Sequence, residues 1–143
     1  MTNHLTIEPC EKENIKTIID GINDYNLSKV AALAAAWTPL DYVATDDDGV
    51  VIGGLLSGIG YWNGLEIRIL WVDEAHRNKG IGRQLLQYVE NTAAAKGATI
   101  AMLDTFDFQA ADFYIKNGYE LVGTLKNFPQ GHDRLYFSKK LSL

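Results

Sequence analysis

The sequence predicts an α/β fold built around a mixed β-sheet, and three observations support this class. Short apolar or alternating segments, which are typical of strands, are interleaved with amphipathic segments of helical period. Turn signals such as Asn63–Gly64 separate neighbouring strand segments. The chain has 143 residues, of which 47% are hydrophobic, and no linker or repeat interrupts it. We therefore expect residues 1–143 to form one domain with a substantial core.

The first half of the chain is predicted to form helices followed by a series of strands. Isoleucines recur at helical spacing between Glu11 and Asn26, and an alanine-rich stretch of weaker periodicity follows before Pro39. The Asp46–Gly49 turn separates two apolar runs. The predicted elements are a strand at Leu5–Ile7, helices at Glu11–Asn26 and Ser28–Trp37, and strands at Leu40–Ala44, Val50–Tyr61 and Leu65–Val72.

Alternation along the last of these strands predicts which side chains share a face. One face is expected to carry Leu65, Ile67, Ile69 and Trp71. The other face is expected to carry Glu66, Arg68, Leu70 and Val72. On this interpretation Glu66 and Leu70 lie on the same side of the sheet.

The second half of the chain begins with a long amphipathic helix. It is predicted to start near Ile81 and to stop at Gly97, because glycine is the commonest residue just past a helix end. The remaining predicted elements are a strand at Ala98–Leu103, a helix at Asp107–Asn117, and strands at Tyr119–Leu125 and Arg134–Lys140.

Composition excludes several classes of protein. The net charge of −5 disfavours nucleic acid and anionic membranes as partners. A single cysteine, Cys10, forms no internal disulfide, and no histidine or cysteine spacing is typical of a metal site. The start Met1–His4 lacks the pattern of a signal peptide, and no segment reaches the length of a membrane span. We expect a cytoplasmic protein without a metal.

The segment Arg77–Gly82 has the features of an anion-binding loop. It lies between a predicted strand and a predicted helix, whose first turn leaves about four backbone N–H groups unpaired at the positive end of the dipole. Gly80 and Gly82 leave room for a phosphate to approach them. Arg77, Lys79 and Arg83 add positive charge to an acidic chain. The pattern indicates a diphosphate site, and the alternative is a tight turn with solvated cations.

Two common diphosphate motifs do not fit this loop. The dinucleotide fingerprint G-x-G-x-x-G would need a third glycine at position 85, which is Leu85. The pattern G-x-x-x-x-G-K-[ST] of nucleotide triphosphatases does not occur. A nucleotide-binding protein that uses the same loop is therefore only a weak alternative.

Two motifs of the chain resemble signatures of the GNAT family of N-acetyltransferases. Arg77–Gly82, followed by Leu85 and Leu86, resembles the acetyl-CoA motif [RQ]-x-x-G-x-[GA]. Ala110–Tyr119 resembles the second signature, A-x-x-x-Y-x-x-x-G-F, with tyrosine in place of the final phenylalanine. The resemblance implies a mixed sheet of about six to seven strands with about four helices and splayed central parallel strands. It implies acetyl-CoA as acyl donor and no metal.

The resemblance also implies roles for individual residues. The backbone of Leu70, Trp71 and Val72 would pair with the pantetheine arm, and the Leu70 amide would stabilise the oxyanion. Tyr114 occupies the position of the tyrosine that protonates the thiolate, although a tyrosine packed in the core explains it too. The residues implied to hold the pyrophosphate are Arg77, Asn78, Lys79, Gly80, Ile81, Gly82 and Arg83.

The general base is left open between Glu66, Asp104 and a water relay. Glu66 matches the family's glutamate by its distance from Arg77, but four residues of strand separate it from Leu70 by about 13 Å. An alternative is a surface pair of Glu66 with Arg68. Asp107 stands where many relatives contact pantetheine, and a helix N-cap explains it equally well.

We expect direct transfer of an acetyl group to a primary amine of a small molecule, without a covalent enzyme intermediate. The alternatives are an acyl-CoA sensor without turnover and an acetyltransferase of protein or peptide amines. Acceptor specificity would come from Tyr25–Pro39 and Lys126–Asp133, in which Phe128 is a candidate beside ordinary packing. His132 in the same turn could be a base, and the alternative is a solvated histidine. The resemblance implies a possible homodimer, and the residues themselves do not indicate an oligomeric state.

Overall fold

The computed structural model describes residues 4–142, and the chain divides into two compact units after Ala32. The first unit contains helix α1 (Lys12–Lys29), which confirms the predicted helix. The predicted strand Leu5–Ile7 is wrong: residues 4–10 form no ladder, and Leu5 and Ile7 are more than four-fifths exposed. Three alternating residues do not make a strand without a partner to complete their hydrogen bonds. The prediction that Met1–His4 lacks a signal-peptide pattern falls mostly on Met1–Asn3, which lie outside the described residues.

The second unit is built on a seven-stranded sheet. Its order is β1-β3-β4-β5-β7-β6, with β2 also paired to β3, and only β4 and β5 run parallel. This mixed sheet confirms the predicted fold class. The strands are β1 (Trp37–Pro39), β2 (Tyr42–Thr45), β3 (Val51–Gly60), β4 (Gly64–Val72), β5 (Ile100–Phe106), β6 (Glu120–Lys126) and β7 (Asp133–Lys140).

Two helices belong to the sheet unit, α2 (Ile81–Ala95) and α3 (Ala111–Lys116), and a 3₁₀ turn covers Glu74–His76. Residues 4–142 thus contain three α-helices rather than about four. The predicted helix Ser28–Trp37 is wrong beyond Lys29. The amides of Leu33 and Ala34 donate to the Tyr61 carbonyl at 2.8 and 3.0 Å, so this backbone satisfies its donors outside a helix.

The predicted strand Leu40–Ala44 is split into β1 and β2. The break falls at Leu40 and Asp41, which both bond to Ser57 of β3. The Ser57 amide donates to the Asp41 carboxylate at 2.9 Å, and the Ser57 hydroxyl donates to the Leu40 carbonyl. The Leu40 amide also donates to the Ser57 carbonyl at 2.9 Å, so these two residues stay attached to β3 although the regular ladder is interrupted.

A β-bulge at Arg68 reverses the predicted faces of the second half of β4. Ile67 pairs with Ser57 and Ile69 with Leu56, so two steps on β4 match one on β3 and Arg68 is the extra residue. Before the bulge Leu65 and Ile67 are buried, as predicted.

After the bulge the predicted alternation is wrong. Leu70, opposite the buried Leu55, packs on the core, whereas Ile69 and Trp71 are about half exposed. Residues opposite each other in a ladder share a face. Glu66 and Leu70 therefore lie on opposite faces of the sheet, which corrects the prediction that they share one.

The main core lies between the sheet and α2. Helix α2 packs on β2, β3 and β4, and its buried side chains recur at helical spacing: Leu85, Leu86, Val89, Glu90, Ala93 and Ala94. The helix ends before Gly97, which has φ +102°, as the glycine stop predicted. The least exposed side chains of this core include Leu55, Ile59, Leu65, Leu86, Val89 and Phe137.

A buried polar network ties α2 to the end of the sheet. Glu90 of α2 is 7% exposed and accepts a hydrogen bond from the Tyr119 hydroxyl at 2.8 Å. Its other oxygen accepts from Lys139 Nζ at 2.7 Å, and Lys139 also donates to the Asn117 carbonyl at 2.9 Å. Burial and the Glu90 charge raise the pKa of Tyr119 above its usual range, so the phenol stays a donor.

We expect Lys139→Met to destabilise the protein by about 2 kcal/mol, because it leaves the Glu90 carboxylate buried without its cation. The figure is below that for a fully buried pair because Lys139 is 28% exposed. Urea unfolding with an unchanged m value measures it. Lys140→Met is the matched control. Lys140 is the exposed neighbour of Lys139, so its loss is expected to change the midpoint of urea unfolding little. Equal effects of the two substitutions would contradict the importance of the pair.

Candidate active site

The parallel strands β4 and β5 separate halfway along their length. Their pairing runs from Gly64–Ile100 to Ile67–Leu103 and ends there. Beyond that point β4 continues along β3 to Val72, and β5 continues along β7 to Phe106. A gap with backbone on both sides therefore opens at the carboxyl ends of these two strands, which is where open α/β sheets bind ligands.

Leu70, Trp71 and Val72 form the β4 side of this gap. The Leu70 and Val72 side chains face α2, whereas Trp71 faces the opposite side and is 46% exposed. The Val72 carbonyl accepts a hydrogen bond from Arg77 Nε at 3.1 Å. Arg77 therefore braces the turn that leads from β4 to α2.

The predicted anion loop lies directly in front of α2. Asn78 and Gly80 have φ +63° and +81°, left-handed conformations that turn the chain into the helix. The first helical bond runs from the Gln84 amide to the Gly80 carbonyl at 3.0 Å. Within residues 4–142, the amides from Asn78 to Arg83 have no hydrogen-bond acceptor. They form a row of donors at the positive end of the helix.

Charge at this end of α2 suits an anion. No acidic residue stands in the first turn of the helix, and no side chain caps it. Lys79 and Arg83 are exposed there. The neighbouring carboxylate of Asp73 is held by His76 Nδ1 at 3.0 Å. An anion bound to the amides would therefore meet cations and helix dipole together.

The missing side chain of Gly82 matters for packing against neighbouring side chains as well as for the approach of an anion. A Cβ at this position would lie 3.3 Å from Phe113 Cζ and 3.7 Å from a Val72 methyl. The ring of Phe113 therefore brings the start of α3 against the start of α2. This contact is why the second predicted motif stands beside the first.

Tyr114 is buried on α3 with its ring among aromatic side chains. Its ring centroid lies 5.9 Å from that of Tyr119 and 6.1 Å from that of Phe137. Burial raises the pKa of Tyr114 to about 12. Its hydroxyl bonds to no group within residues 4–142, in contrast to that of Tyr119. Tyr114 is thus a neutral phenol with an unused donor.

The face of the sheet away from α2 carries the carboxylates. Glu66 pairs with Met102, and Asp104 follows two residues later on the same face of β5. Asp104 accepts from Arg134 Nε at 2.9 Å and Nη2 at 2.8 Å. Glu66 has no hydrogen bond or ion pair with residues 4–142, so the alternative prediction of a Glu66–Arg68 pair is wrong. The Arg68 guanidinium lies instead 4.3 Å from the centroid of the Trp37 ring.

An aromatic cluster at the carboxyl end of β5 was not predicted as a unit. The Phe106 ring stacks on that of Phe108 at 5.3 Å and on that of Phe128 at 6.3 Å between centroids. Arg134 lies 5.6 Å from the Phe128 ring. Phe128 and Arg134 lie at least 20 residues after Phe106 and Phe108, and the β5–β7 register, which pairs Phe106 with Arg134, brings the two groups together.

Asp107 is neither a helix N-cap nor directed to α3. Helix α3 starts at Ala111 after Ala110 rather than at Asp107, and no side chain caps it. The Asp107 carboxylate accepts instead from the Asp133 amide and from His132 Nδ1, both at 2.8 Å. The β6–β7 hairpin is thereby tied to the end of β5.

Residues 4–142 contain no cluster of three or more potential metal ligands among histidine, cysteine, aspartate and glutamate. Within the same residues, no helix is both long and apolar enough to cross a membrane. Cys10 is exposed in the first unit.

Comparison with known proteins agrees with this architecture. Residues 41–121 match the family model of the acetyltransferase (GNAT) domain. Blasticidin-S acetyltransferase of Streptomyces morookaense is 34% identical over 97 residues, which cover 65% of this chain and 71% of that protein. The crystal structure of an acetyltransferase from Bacillus cereus is 33% identical, with a TM-score of 0.88 and coverage of 96% and 98%.

The chain belongs to the GNAT acetyltransferase family, and it is an acyltransferase. The resemblance drawn from the two motifs is thereby confirmed. The fold is shared with an aminoglycoside 6'-N-acetyltransferase solved with coenzyme A, at 19% identity and a TM-score of 0.63 over 85% of this chain and 79% of that one. The family uses acetyl-CoA as acyl donor.

Removal of one amide of the loop tests the anion site. We expect Arg83→Pro to weaken coenzyme A binding at least tenfold more than Arg83→Ala. Both remove the guanidinium, but only proline removes the N–H, and a charge-assisted hydrogen bond contributes about 1.5–3 kcal/mol. The Arg83 amide makes no bond within the helix, so proline removes no helical hydrogen bond, and thermal melting of both variants measures the strain that proline places on Gly82. Calorimetric titration measures the affinity, and equal affinities in two folded variants would contradict a phosphate at this amide.

Proposed function

We propose that residues 1–143 form one N-acetyltransferase domain that transfers the acetyl group of acetyl-CoA directly to a primary amine of a small molecule. The observation that supports this most is the gap between β4 and β5. It opens from the face that holds the anion loop and Tyr114 to the face that carries the carboxylates. A thioester in the gap could therefore be reached by an amine from the opposite side. Cytoplasmic location and a homodimer stay predictions.

The cofactor would be held by the residues predicted for it. In our proposal the amides from Asn78 to Arg83 bind the pyrophosphate, since they are donors at a helix start with cations beside them. The edge of Leu70–Val72 along the gap would pair with the pantetheine arm like an added strand. The Leu70 amide is then the donor to the tetrahedral oxyanion. No intermediate on the protein is needed, and exposed Cys10 takes no part.

The reaction forms a carbon–nitrogen bond and breaks the carbon–sulfur bond of the thioester. The sulfur leaves as a thiolate that needs stabilisation, and we assign this to Tyr114. Full transfer from a phenol of pKa about 12 to a thiolate whose acid has a pKa near 8.5 would be uphill by roughly 5 kcal/mol. Donation of a hydrogen bond carries no such cost. Tyr114 therefore acts first as a donor to the developing charge, and its unused hydroxyl suits this role.

The amine must lose a proton, and neither carboxylate is well placed to take it directly. Asp104 is engaged by Arg134. Glu66 pairs with Gly58 and Leu70 with Leu55, so three residues of β3, about 10 Å, separate their levels. In our proposal Glu66 attracts the cationic acceptor and reaches the amine only through water.

A small-molecule acceptor is favoured by two observations. The relative with 34% identity is named for an antibiotic, blasticidin S. The acidic chain suits a compact cation, because Glu66 on the acceptor face has no ion pair within residues 4–142. Proteins and peptides as acceptors, and a sensor without turnover, are outcomes of the test below.

An amine panel tests the function. We expect free thiol to be released from acetyl-CoA with at least one small cationic amine, such as an antibiotic or a polyamine, and not with lysine-containing peptides. A thiol reagent follows the release, and mass spectrometry identifies the acetylated amine. Coenzyme A binding without thiol release from any amine would contradict the proposal and favour the sensor. Release with peptides alone would move the function to protein amines.

Tyr114→Phe is expected to lower kcat about 100-fold while coenzyme A affinity changes little, because it removes one donor at the leaving sulfur. Because the pKa of Tyr114 is about 12, wild-type activity is not expected to fall between pH 8 and 10 through loss of this proton. Steady-state kinetics across this range measure both effects. Tyr88→Phe, at an exposed tyrosine of α2, is the control for loss of a phenol. An unchanged kcat in Tyr114→Phe would make this tyrosine a packing residue only.

A further inference from the structure

A histidine–aspartate pair stands at the carboxyl end of β5, next to the gap. His132 Nδ1 lies 2.8 Å from Asp107 Oδ1, and the two side chains are 49% and 36% exposed. The edge of the His132 ring contacts the Phe108 ring, with centroids 5.0 Å apart at 81°. Phe108 in turn stacks on Phe106. The imidazole is therefore continuous with the aromatic cluster of the acceptor side.

The pair is held on both sides by backbone hydrogen bonds. The Asp107 amide donates to the Asp133 carbonyl at 2.9 Å, and the Asp133 amide donates back to Asp107 Oδ2 at 2.8 Å. His132 closes its own turn, because its carbonyl accepts from the Phe128 amide and its amide donates to the Pro129 carbonyl, both at 2.8 Å. The imidazole position is thus set before any ligand binds.

The other ring nitrogen of His132 is available to a substrate. With Nδ1 on the carboxylate, Nε2 is the acceptor of a neutral imidazole, and it has no partner within residues 4–142. The Asp133 amide, with His132 beside it, holds the pKa of Asp107 below its usual range, so this carboxylate stays charged. A charged aspartate fixes the tautomer and stabilises the imidazolium that forms when Nε2 takes a proton.

The pair lies on the face of the sheet that carries the carboxylates. Phe106, two residues after Asp104 on β5, shares this face, and the Arg134 guanidinium lies 5.7 Å from its ring centroid. Phe108 stacks on Phe106 and His132 contacts Phe108, so the imidazole stands at the carboxyl end of β5, beside the gap.

We propose that His132, oriented by Asp107, is the general base that takes the proton from the acceptor amine. The inference rests on the proposed function and names a catalytic residue for it. The nitrogen attacks the thioester carbon, its proton passes to His132 Nε2, and the sulfur leaves as thiolate stabilised by Tyr114. Because His132 is half exposed, it returns the proton to solvent before the next turnover.

Charged residues on neighbouring strands surround the pair. Arg134 lies over the Phe128 ring and is itself paired with Asp104. The other charged residues next to the pair are Asp133, whose amide is bonded to Asp107, and Lys126, which stands opposite Asp133 in the ladder of β6 and β7.

The test is the pH dependence of kcat/KM with an acceptor found in the amine panel. The wild type is expected to lose activity as the pH falls, because a protonated imidazole accepts no proton. His132→Gln is expected to lower the plateau about 100-fold and to abolish this limb, apart from the part that comes from the acceptor's own pKa. Added imidazole is expected to restore activity to His132→Ala, which a purely structural role would not allow. Asp107→Asn is expected to give a smaller loss of kcat with KM for acetyl-CoA unchanged.

His4→Gln is the control, since it removes another exposed histidine that belongs neither to the anion loop nor to the aromatic cluster. Its acidic limb is expected to stay. An unchanged pH profile in His132→Gln would overturn the assignment of His132. The assignment would also be overturned if imidazole gave no rescue and Glu66→Gln lost activity. In both cases the acetyltransferase function would stand. Absence of turnover by the wild type with every amine would instead overturn the proposed function. Thermal melting of each variant separates misfolding from these outcomes. If His132→Gln proves unstable, the imidazole rescue of His132→Ala is the deciding experiment.

Discussion

The divergence of β4 from β5 is the constraint on which the whole candidate site depends. Two parallel strands that stayed paired to their ends would close the sheet, and no ligand could pass between its faces. The bulge at Arg68 coincides with the last pair, Ile67–Leu103, and bulges bend and twist the strand that carries them. β4 then follows β3, while β5 follows β7. One inserted residue thus separates two halves of a continuous sheet.

The gap separates two chemical environments. On the α2 side lie the row of amides and the buried phenol of Tyr114, which suit anions and developing negative charge. On the other side lie Glu66, Asp104 and the pair of Asp107 and His132, which suit a cationic amine and its proton. An acyl transfer to an amine needs both environments within one site, because negative charge appears on oxygen and sulfur while the nitrogen must lose positive charge.

Local patterns were enough to predict most elements of the sheet unit and the turn that leads into α2. Helix α2, the strands around it and the glycines of Arg77–Gly82 depend on nearest neighbours in sequence, and periodicity and turn chemistry report these. The helix at Ser28–Trp37 was wrong because Tyr61, distant in sequence, accepts the amides of Leu33 and Ala34. The faces of β4 were wrong because a bulge depends on the register with β3, which no pattern in one strand reveals.

The acceptor side was the part least accessible to sequence for the same reason. Asp104 and Arg134, or Asp107 and His132, are 30 and 25 residues apart, and only the β5–β7 ladder makes them neighbours. This ladder also decides their chemistry. A carboxylate that faces a guanidinium loses its use as a base, whereas one that faces an imidazole makes the imidazole a better one. Asp104 on β5 and Asp107 just after it therefore have different environments, because one accepts from the Arg134 guanidinium and the other from the His132 imidazole.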